Sequence, residues 1–438
     1  MADLRPLRGL RYQERIAGDL GAVLAPPYDV ISGDTQRALY DRGPYNVVRL
    51  EYGVEAEDTG ASRYQAAAAT LAGWRRKGVL ATDPMPGLYL YEQGFQHDGR
   101  AYRRRSIIGR VRLEPWEAGV ILPHEHTLAG PKRDRLRLLQ ACRTDVSPVF
   151  GLYRPDGGRA LSVCEPAATI APLVDAIDIA GQRHRLWPVE DPHAIEAVAR
   201  QFASRTLYIA DGHHRYETAL HYRDEQRSAS PAWTGEEPEN FVLMALTAAD
   251  DPGLLILPIH RLVRPVTPQA GLLEALSATF DVLAEGRPEA LNASSAQLLE
   301  RLRAEGSRRP VFGCLGLSEE LVLIALRESD AVAKQMPLGH SDAWRRLGVN
   351  LLQYGILEPL LGIDIDTVRA GGHVEFTESA EEARAEVRSG GFPLAFLLNA
   401  TRPEEIFAVA DAGDRMPQKS TYFYPKLGTG LVLYAMDA

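Results

Sequence analysis

The stretch TLYIADGHHRYETAL, Thr206–Leu220, predicts a buried strand, a glycine turn and a helix in direct succession. Residues 207–209 are apolar and suit a buried strand, Gly212 permits a sharp turn, and apolar residues then recur at helical spacing. The turn therefore lies at the N-terminus of a helix. Backbone N–H groups there have no partner within the helix, and the helix dipole is positive, so anions bind well at such a position.

Five consecutive residues at this turn, Asp211, Gly212, His213, His214 and Arg215, are predicted to bind the phosphates of a nucleotide. The glycine lets a ligand approach the backbone, and the guanidinium offers a fork of donors that matches phosphate. The two histidines can donate protons or hydrogen bonds near neutral pH, and we also predict a catalytic role for His213. The alternative is a tight turn whose side chains only cap and pair.

The composition is that of an ordinary globular protein with an acidic balance. The chain has 438 residues, 45% of them hydrophobic, and a formal net charge of −9. Its length predicts two or more domains. The net charge argues against nucleic acid as the main partner, because phosphate-backbone binding rests on clustered Lys and Arg. Composition leaves the oligomeric state open.

The expected compartment is the cytoplasm. The sequence has no run of about 18 apolar residues, and its start lacks the apolar middle of a secretory signal, so we expect no membrane association. Its three cysteines, Cys142, Cys164 and Cys314, are widely spaced and predicted to be reduced.

Tyr28 and Asp29 are predicted to contact the substrate. They follow the apolar stretch GAVLA and the pair Pro26–Pro27, which together predict a short strand and its end. An acidic group there would hold a substrate ammonium or Mg²⁺. The next segment, YNVVRLEYG, is rich in β-branched residues and also predicts a strand. Further on, Asp98–Gly99 predicts the tight turn of a β-hairpin.

The stretch LPHEHTLAGPKRD, with the helix that follows it, is the second candidate for chemistry. Glu125 is predicted to accept a proton from a substrate hydroxyl, with His124 or His126 tuning it. Lys132 and Arg135 are predicted to neutralise charge on a transferring phosphate. A polar surface loop followed by a charged helix face is the alternative.

The histidines also allow a metal-site interpretation. His124 and His126 form an HxH pattern, His213 and His214 are adjacent, and zinc favours imidazole. Adjacent histidines rarely ligate one metal, however, and no carboxylate lies at a suitable helical offset from them. We therefore assign no metal ligands.

The C-terminal stretch MPQKSTYFYPKLGTGL has two interpretations. Lys419, Ser420 and Lys426, next to glycines, suit a lid over phosphate. The aromatic residues equally suit a terminal hairpin packed on the core.

Several stretches together resemble one bacterial family. They are APPYDVIS, YNVVRLEYG, HEHTLAGPKRDRLRLL, SPVFGLY, ADGHHRYETAL and MPQKSTYFYPKLGTGL. This set looks like an uncharacterised family often labelled SpoOJ/ParA/ParB/RepB-like, and the glycine turn resembles the phosphate-binding turn of the ParB and sulfiredoxin superfamily. His213 stands where sulfiredoxins carry their reactive Cys, so sulphinic-acid reduction is not expected.

The resemblance implies an α/β (α+β) fold. A ParB/sulfiredoxin-like nucleotide-binding catalytic region would span 1–264, and an additional α/β C-terminal domain would span 265–438. With free serine kinases as relatives, it implies phosphoryl transfer from ADP or ATP with Mg²⁺ to a small hydroxylated metabolite such as free L-serine. The alternatives are a ParB-like nucleotide switch or DNA-binding adaptor without turnover, and a metal-dependent hydrolase.

Overall fold

The computed structural model describes residues 1–54, 62–127, 129–267, 271–285, 295–317, 321–327 and 329–437. The chain folds into two compact units. The first unit consists of residues 1–123, 127–255 and 425–438, and the second consists of 124–126 and 256–424. The chain thus enters the second unit briefly at residue 124 and returns to the first unit for its last residues.

The strands are short to medium in length, and their bounds are β1 Leu4–Arg5, β2 Leu10–Tyr12, β3 Leu80–Thr82, β4 Leu88–His97, β5 Arg100–Arg112, β6 Ile121–Leu122, β7 Thr144–Asp145, β8 Val149–Tyr153, β9 Val174–Ile177, β10 Arg183–Val189, β11 Leu207–Asp211, β12 Phe241–Ala248, β13 Leu255–Leu257, β14 His260–Val263, β15 Phe280–Glu285, β16 Val311–Leu315, β17 Val322–Leu326, β18 Val374–Thr377, β19 Leu394–Leu397, β20 Tyr422–Tyr424 and β21 Tyr434–Ala435.

The helices have the bounds α1 Glu14–Ala17, α2 Leu20–Val23, α3 Gly33–Arg42, α4 Val48–Glu51, α5 Arg63–Arg76, α6 Ala129–Cys142, α7 Arg159–Cys164, α8 Pro192–Phe202, α9 His213–Ala229, α10 Leu272–Thr279, α11 Ser295–Gly306, α12 Ser329–Ala333, α13 Asp342–Arg345, α14 Gly348–Leu352, α15 Glu358–Leu361, α16 Ile365–Ala370, α17 Ala380–Ser389 and α18 Pro403–Asp411.

A mixed nine-stranded sheet forms the first unit. Its order is β6-β11-β8-β12-β5-β4-β10-β9, with β1 paired to β5. β11 runs parallel to β6 and antiparallel to β8, and β12 runs parallel to β8. The fold is therefore a mixed α/β one, as predicted; the ParB/sulfiredoxin-like detail stays a prediction.

The predicted strand, turn and helix around Gly212 are confirmed. Four of the five residues of β11 are buried, and the strand joins α9 through this glycine. Tyr216 and Ala219, three residues apart on α9, pack into the same apolar core as Leu207 and Ile209. The packing fixes the helix against the sheet, so the N-terminus of α9 lies at the end of β11.

Two predicted strands near the N-terminus are wrong. Residues 20–23 form the short helix α2, and Val48 begins the helix α4. Asn46 explains the difference, because its side-chain amide donates to the carbonyls of Ala22 and Leu24 and its oxygen accepts the N–H of Val48. These tertiary bonds outweigh the β propensity of the sequence. Tyr28 and Asp29 lie instead in a single 3₁₀ turn, Tyr28–Val30.

The predicted hairpin is confirmed. β4 and β5 pair antiparallel from Tyr89 opposite Ile108 to His97 opposite Arg100. Asp98 and Gly99 connect them with φ values of 48° and 72°, the positive angles that a tight primed turn requires.

The second unit contains a six-stranded antiparallel sheet in the order β15-β17-β16-β19-β14-β18. Its core joins Leu323 and Ala395 of the sheet with Leu302 of α11 and Ala383 of α17. Among the described residues, no helix combines the length and apolar character that crossing a membrane requires.

His260 in β14 makes the second unit sensitive to acid. The residue is fully buried, and its Nδ1 accepts the N–H of Leu398 at 3.2 Å. Burial, aided by the positive charge of Arg261, lowers the pKa of His260 from 6.5 to about 3. Between these values the unfolded chain binds the proton and the folded chain does not, so stability falls as the pH falls.

We expect His260→Asn to flatten this pH dependence. Asn keeps an acceptor for Leu398 but cannot titrate, so the wild-type stability should fall more steeply than that of the variant, by up to roughly 1.4 kcal/mol per pH unit. Denaturant unfolding of the second unit at several pH values between 6.5 and 3 measures this dependence of stability on pH. His221→Asn, at a solvent-exposed histidine of α9, is the control. Equal slopes in wild type and His260→Asn would contradict the assignment.

Candidate functional site

The candidate site begins where β11 ends. The pairing of β11 with β8 shifts register between Ile209 and Asp211, which places Asp211 at the end of the strand. Gly212 follows with φ +90° as the N-cap of α9. Only glycine adopts this angle readily, and it leaves the first N–H groups of a 17-residue helix without a side-chain cap from the N-cap position.

Arg215 and Asp211 form an ion pair one turn into α9. The guanidinium Nη2 donates to Asp211 Oδ2 at 2.8 Å, and Nη1 donates to the carbonyl of Pro148. The guanidinium lies close to the turn, since a Cβ built on Gly212 would be 3.0 Å from the guanidinium carbon. The guanidinium is thus fixed in orientation directly beside the helix N-terminus.

Lys426 completes the cluster from the far end of the chain. Its ammonium donates to Asp211 Oδ1, so Asp211 lies between two cations. Burial alone raises the pKa of the Asp211 carboxyl, but the charges of Lys426 and Arg215 outweigh it and hold the pKa well below its ordinary value. Asp211 is therefore ionised at neutral pH.

The segment that carries Lys426 is held by the β4–β5 hairpin. The fully buried Arg104 donates to the carbonyl of Pro425 at 2.8 Å, and Gln93 donates to the carbonyl of Lys426 at 2.9 Å. Arg104 also lies over the ring of Phe150, with 4.8 Å from its guanidinium carbon to the ring centroid. Buried polar groups with this many partners keep one geometry. The position of Lys426 is therefore set by the sheet and not by the C-terminal segment alone.

Asp29 is the second carboxylate of the cluster. It is exposed to solvent, yet the surrounding protein raises the pKa of its carboxyl. The nearby Asp211 carboxylate also raises this pKa, while Lys426 and Arg215 act against the rise. Asp29 is therefore an exposed carboxyl whose protonation responds to these three neighbouring charges. The bridge between Ala25 and Thr429 ties the Asp29 segment to the Lys426 segment.

Tyr28 and Arg135 lie next to this cluster and contact each other. The Arg135 guanidinium carbon is 4.0 Å from the centroid of the Tyr28 ring. Arg135 is buried, donates to the carbonyl of Glu51 at 3.0 Å and pairs with Asp134. A guanidinium with these partners supports the wall of the site and has limited freedom to reach a ligand.

Lys132 and His214 lie around Glu217, which the sequence analysis did not single out. Lys132 Nζ and Glu217 Oε2 are 3.0 Å apart, and Thr127 also donates to Glu217. Burial lowers the pKa of His214 although Glu217 acts in the opposite direction. His214 is therefore neutral near pH 7. Glu217 lies three residues after His214 on α9, and this spacing places the two side chains on the same face of the helix.

His124 and Glu125 belong to the second unit. His124 is fully buried, and its Nε2 lies 3.0 Å from the hydroxyl of Thr421. The same hydroxyl donates to Glu125 Oε1 at 3.4 Å, and the Glu125 charge also acts on the buried Arg261. The stretch that carries them includes Leu128, which lies outside the described residues.

The C-terminal stretch is divided between the units. Lys419 and Ser420 belong to the second unit and Lys426 to the first, so the three residues do not form one lid within a single unit. The terminal-hairpin interpretation is wrong, because β20, the strand of this stretch, pairs with the distant β13. Within the described residues, no group of three or more His, Cys, Asp or Glu side chains is placed to hold a metal ion.

Several solved structures are similar to this chain. A free serine kinase in complex with AMP is 12% identical, with 73% of this chain and 86% of that chain covered and a TM-score of 0.32. A mutant free serine kinase in complex with ADP is 11% identical, with coverage of 73% and 87% and a TM-score of 0.34. A conserved hypothetical protein from Pyrococcus furiosus is 12% identical, with coverage of 76% and 96% and a TM-score of 0.34.

Among curated proteins, none matches the chain. A family model does match it, over residues 4–350, which is well over half of the sequence. The matched range contains Asp29, Asp211 and Arg215, and it ends before Lys426. The chain belongs to the family described as "Protein of unknown function (DUF1015)".

Proposed function

We propose that this protein transfers a phosphoryl group from a nucleotide to the hydroxyl of a small metabolite, with free L-serine as the first acceptor to test. One observation carries the proposal: Arg215 and Lys426 both pair with Asp211 at the N-terminus of α9, and the charges of all three act on the Asp29 carboxyl. Phosphoryl transfer asks mainly for fixed cations and a positioned base, because the transition state carries its charge on phosphate oxygens. This cluster supplies both kinds of group.

The nucleotide phosphates would bind at the Gly212 turn. The first N–H groups of α9 point toward the end of β11, and Arg215 and Lys426 add two positive charges beside them. Both cations are already oriented by Asp211, so little side-chain entropy is lost when an anion arrives. Asp211 in this proposal positions the cations and does not itself touch the transferred group.

The acceptor hydroxyl would meet Asp29. As the hydroxyl oxygen forms its bond to phosphorus, the bond between phosphorus and the leaving nucleotide oxygen breaks, and the hydroxyl proton moves to a base. Asp29 suits that role because its pKa is raised above the ordinary 3.8 while water still reaches it. Glu125 of the second unit is the other candidate base, and Tyr28 would flank the acceptor.

Mg²⁺ is expected to accompany the nucleotide. This ion keeps several waters and needs only one or two protein carboxylates besides the phosphates. Asp211, which is ionised at neutral pH, would be the carboxylate ligand, so Asp29 remains available as the base. When bound, the ion neutralises charge on the phosphate oxygens.

We expect ADP or ATP with Mg²⁺ to raise the melting temperature of the first unit, and Lys426→Met to reduce that rise. A ligand at 100 times its Kd adds about 2.7 kcal/mol of stability. Loss of one charge-assisted contact should weaken the affinity about tenfold or more. Thermal melting with increasing nucleotide, in wild type and variant, measures both effects.

Lys419→Met is the matched control, since this lysine lies on the same C-terminal stretch but in the second unit, and its side chain is exposed. Its nucleotide response should equal that of the wild type. An unchanged wild-type melting curve at saturating nucleotide would contradict the proposed function. Equal responses of the two lysine variants would remove Lys426 from the phosphate site.

A further inference from the structure

Three polar side chains of the first unit form a hydrogen-bonded network beside the segment that carries Lys426. Tyr91 of β4 and His184 of β10 are fully buried, and the Tyr91 hydroxyl lies 2.7 Å from His184 Nδ1. On the other side of the imidazole, Nε2 lies 3.1 Å from Asp178 Oδ2. The antiparallel pairing of β4 with β10 brings the two rings together, and they lie parallel with centroids 6.0 Å apart. A buried imidazole with a partner on each nitrogen keeps one orientation.

Asp178 fixes the direction of the hydrogen bonds in this network. Its Oδ1 accepts the N–H groups of Ala180 and Gln182, both at 2.9 Å. Burial raises the pKa of the Asp178 carboxyl, but the hydrogen bonds from His184 and from these N–H groups outweigh it and hold the pKa below its ordinary value. An ionised carboxylate only accepts, so His184 Nε2 donates to it. In the neutral imidazole Nδ1 then accepts the hydroxyl of Tyr91, whose oxygen is left as an acceptor.

The backbone at Gly428 packs directly against the network. A Cβ built on this glycine would lie 2.9 Å from His184 Cε1 and 3.1 Å from Nδ1, so a side chain has no room there. The N–H of Gly428 also acts on the Tyr91 hydroxyl: burial raises the pKa of Tyr91, while the charge of Arg104 and a hydrogen bond from this N–H oppose the rise. The network thus contacts the main chain two residues after Lys426.

Lys426 is therefore held on both sides. Before it, Arg104 donates to the carbonyl of Pro425, and Gln93 donates to the carbonyl of Lys426 itself. After it, Gly428 lies against His184. A main chain fixed at both ends leaves the ammonium little freedom away from Asp211, with which it pairs. Fixed geometry of this kind lowers the entropy that a ligand must remove on binding.

We propose that Tyr91, His184 and Asp178 are positioning residues that hold Lys426 in place for the phosphates of the nucleotide. They act through Gly428 and do not touch the ligand. The proposal rests on the proposed function for the identity of that ligand. The placement of Lys426 itself can be measured without any ligand.

Tyr91→Phe is the direct test, because it keeps the ring and removes the hydroxyl that serves His184 and Gly428. Tyr89→Phe is the matched control on the same strand. Tyr89 is equally buried, and its hydroxyl also has two partners, since it donates to Asp83 at 2.6 Å and accepts the N–H of Gly9 at 3.0 Å. We expect both variants to melt below the wild type. Only Tyr91→Phe should weaken the binding of ADP or ATP with Mg²⁺, by about tenfold in calorimetry.

A double-mutant cycle shows whether this loss passes through Lys426. In Lys426→Met, adding Tyr91→Phe should cost no further nucleotide affinity, because the group that the network positions is already gone. Equal losses of affinity in the two tyrosine variants would reduce the network to a general contribution to stability and overturn the proposal. Fully additive losses from Tyr91→Phe and Lys426→Met would overturn it as well.

A measurement without nucleotide separates this proposal from the proposed function. The side chain of Lys426 is 14% exposed and paired with Asp211, so its acetylation by acetic anhydride should be slow. Peptide mass spectrometry should find it several-fold faster in Tyr91→Phe than in the wild type or Tyr89→Phe. An unchanged rate would overturn the proposal whether or not nucleotide binds. A faster rate in a protein that binds no nucleotide would support the positioning of Lys426 and contradict only the proposed function.

Discussion

Gly212→Val is expected to weaken nucleotide binding by at least about 100-fold, because two independent features of the turn fail together. The β-branched side chain would stand between the phosphates and the first N–H groups of α9. Its Cβ would also press on the Arg215 guanidinium, only 3.0 Å away, which is held by Asp211 and the carbonyl of Pro148. Isothermal calorimetry with ADP and ATP in the presence of Mg²⁺ measures the loss.

A matched glycine separates this local effect from backbone strain. Gly181 has φ +76°, and a Cβ there would meet no atom within 4 Å. Gly181→Val therefore carries the strain of a left-handed side chain, roughly 1 to 2 kcal/mol, without disturbing the cluster. It should melt lower than wild type yet bind nucleotide normally. Normal binding by Gly212→Val would place the phosphate site elsewhere.

The second large effect is expected from replacing the proposed base, Asp29. Asp29→Asn should lower the rate of phosphoryl transfer about 10²- to 10⁴-fold, the usual cost of removing a general base. Nucleotide affinity should stay within a few-fold of wild type, because Lys426 and Arg215 remain in place. The same comparison is made with Glu125→Gln. Steady-state turnover, run beside calorimetry, separates chemistry from binding.

The pH dependence gives this test a second readout. Asp29 must be deprotonated to accept a proton, so the rate should rise with pH through its pKa, which lies above the ordinary 3.8. This rise of the rate with pH should vanish in Asp29→Asn. It should persist in Asp34→Asn, a control at an exposed carboxylate of α3. A fall in Glu125→Gln alone would assign the base to Glu125. Full turnover in both variants would refute general-base catalysis by a carboxylate.

The sequence was sufficient for the elements that local chemistry determines. The β11–α9 junction follows from an apolar run, a glycine and helical spacing, and the β4–β5 hairpin follows from Asp98–Gly99. In both cases a positive φ had to fall on a residue that tolerates it, and the sequence shows which residue that is.

The elements that the sequence predicted wrongly depend on contacts with residues distant in the sequence. Val48 begins a helix although it lies in a β-branched stretch, because Asn46 binds its N–H and two carbonyls of the segment before it. Lys426 was visible as a lysine beside glycines, but its pairing with Asp211 spans 215 residues. Neither propensity nor periodicity carries information about such contacts. The division of the predicted site residues between two units was equally hidden, since Glu125 lies only two residues from the first unit.

The central claim, that the Asp29–Asp211–Arg215–Lys426 cluster transfers a phosphoryl group, is tested most directly by product detection. Purified protein is incubated with Mg²⁺, ADP or ATP, and a panel of hydroxylated amino acids and related metabolites led by L-serine, and new phosphorus signals are followed by ³¹P NMR. We predict one phosphorylated acceptor formed in step with loss of the terminal phosphate of the nucleotide, and none in Gly212→Val. Tight nucleotide binding with no phosphorylated product across the panel would contradict the account and favour a nucleotide switch.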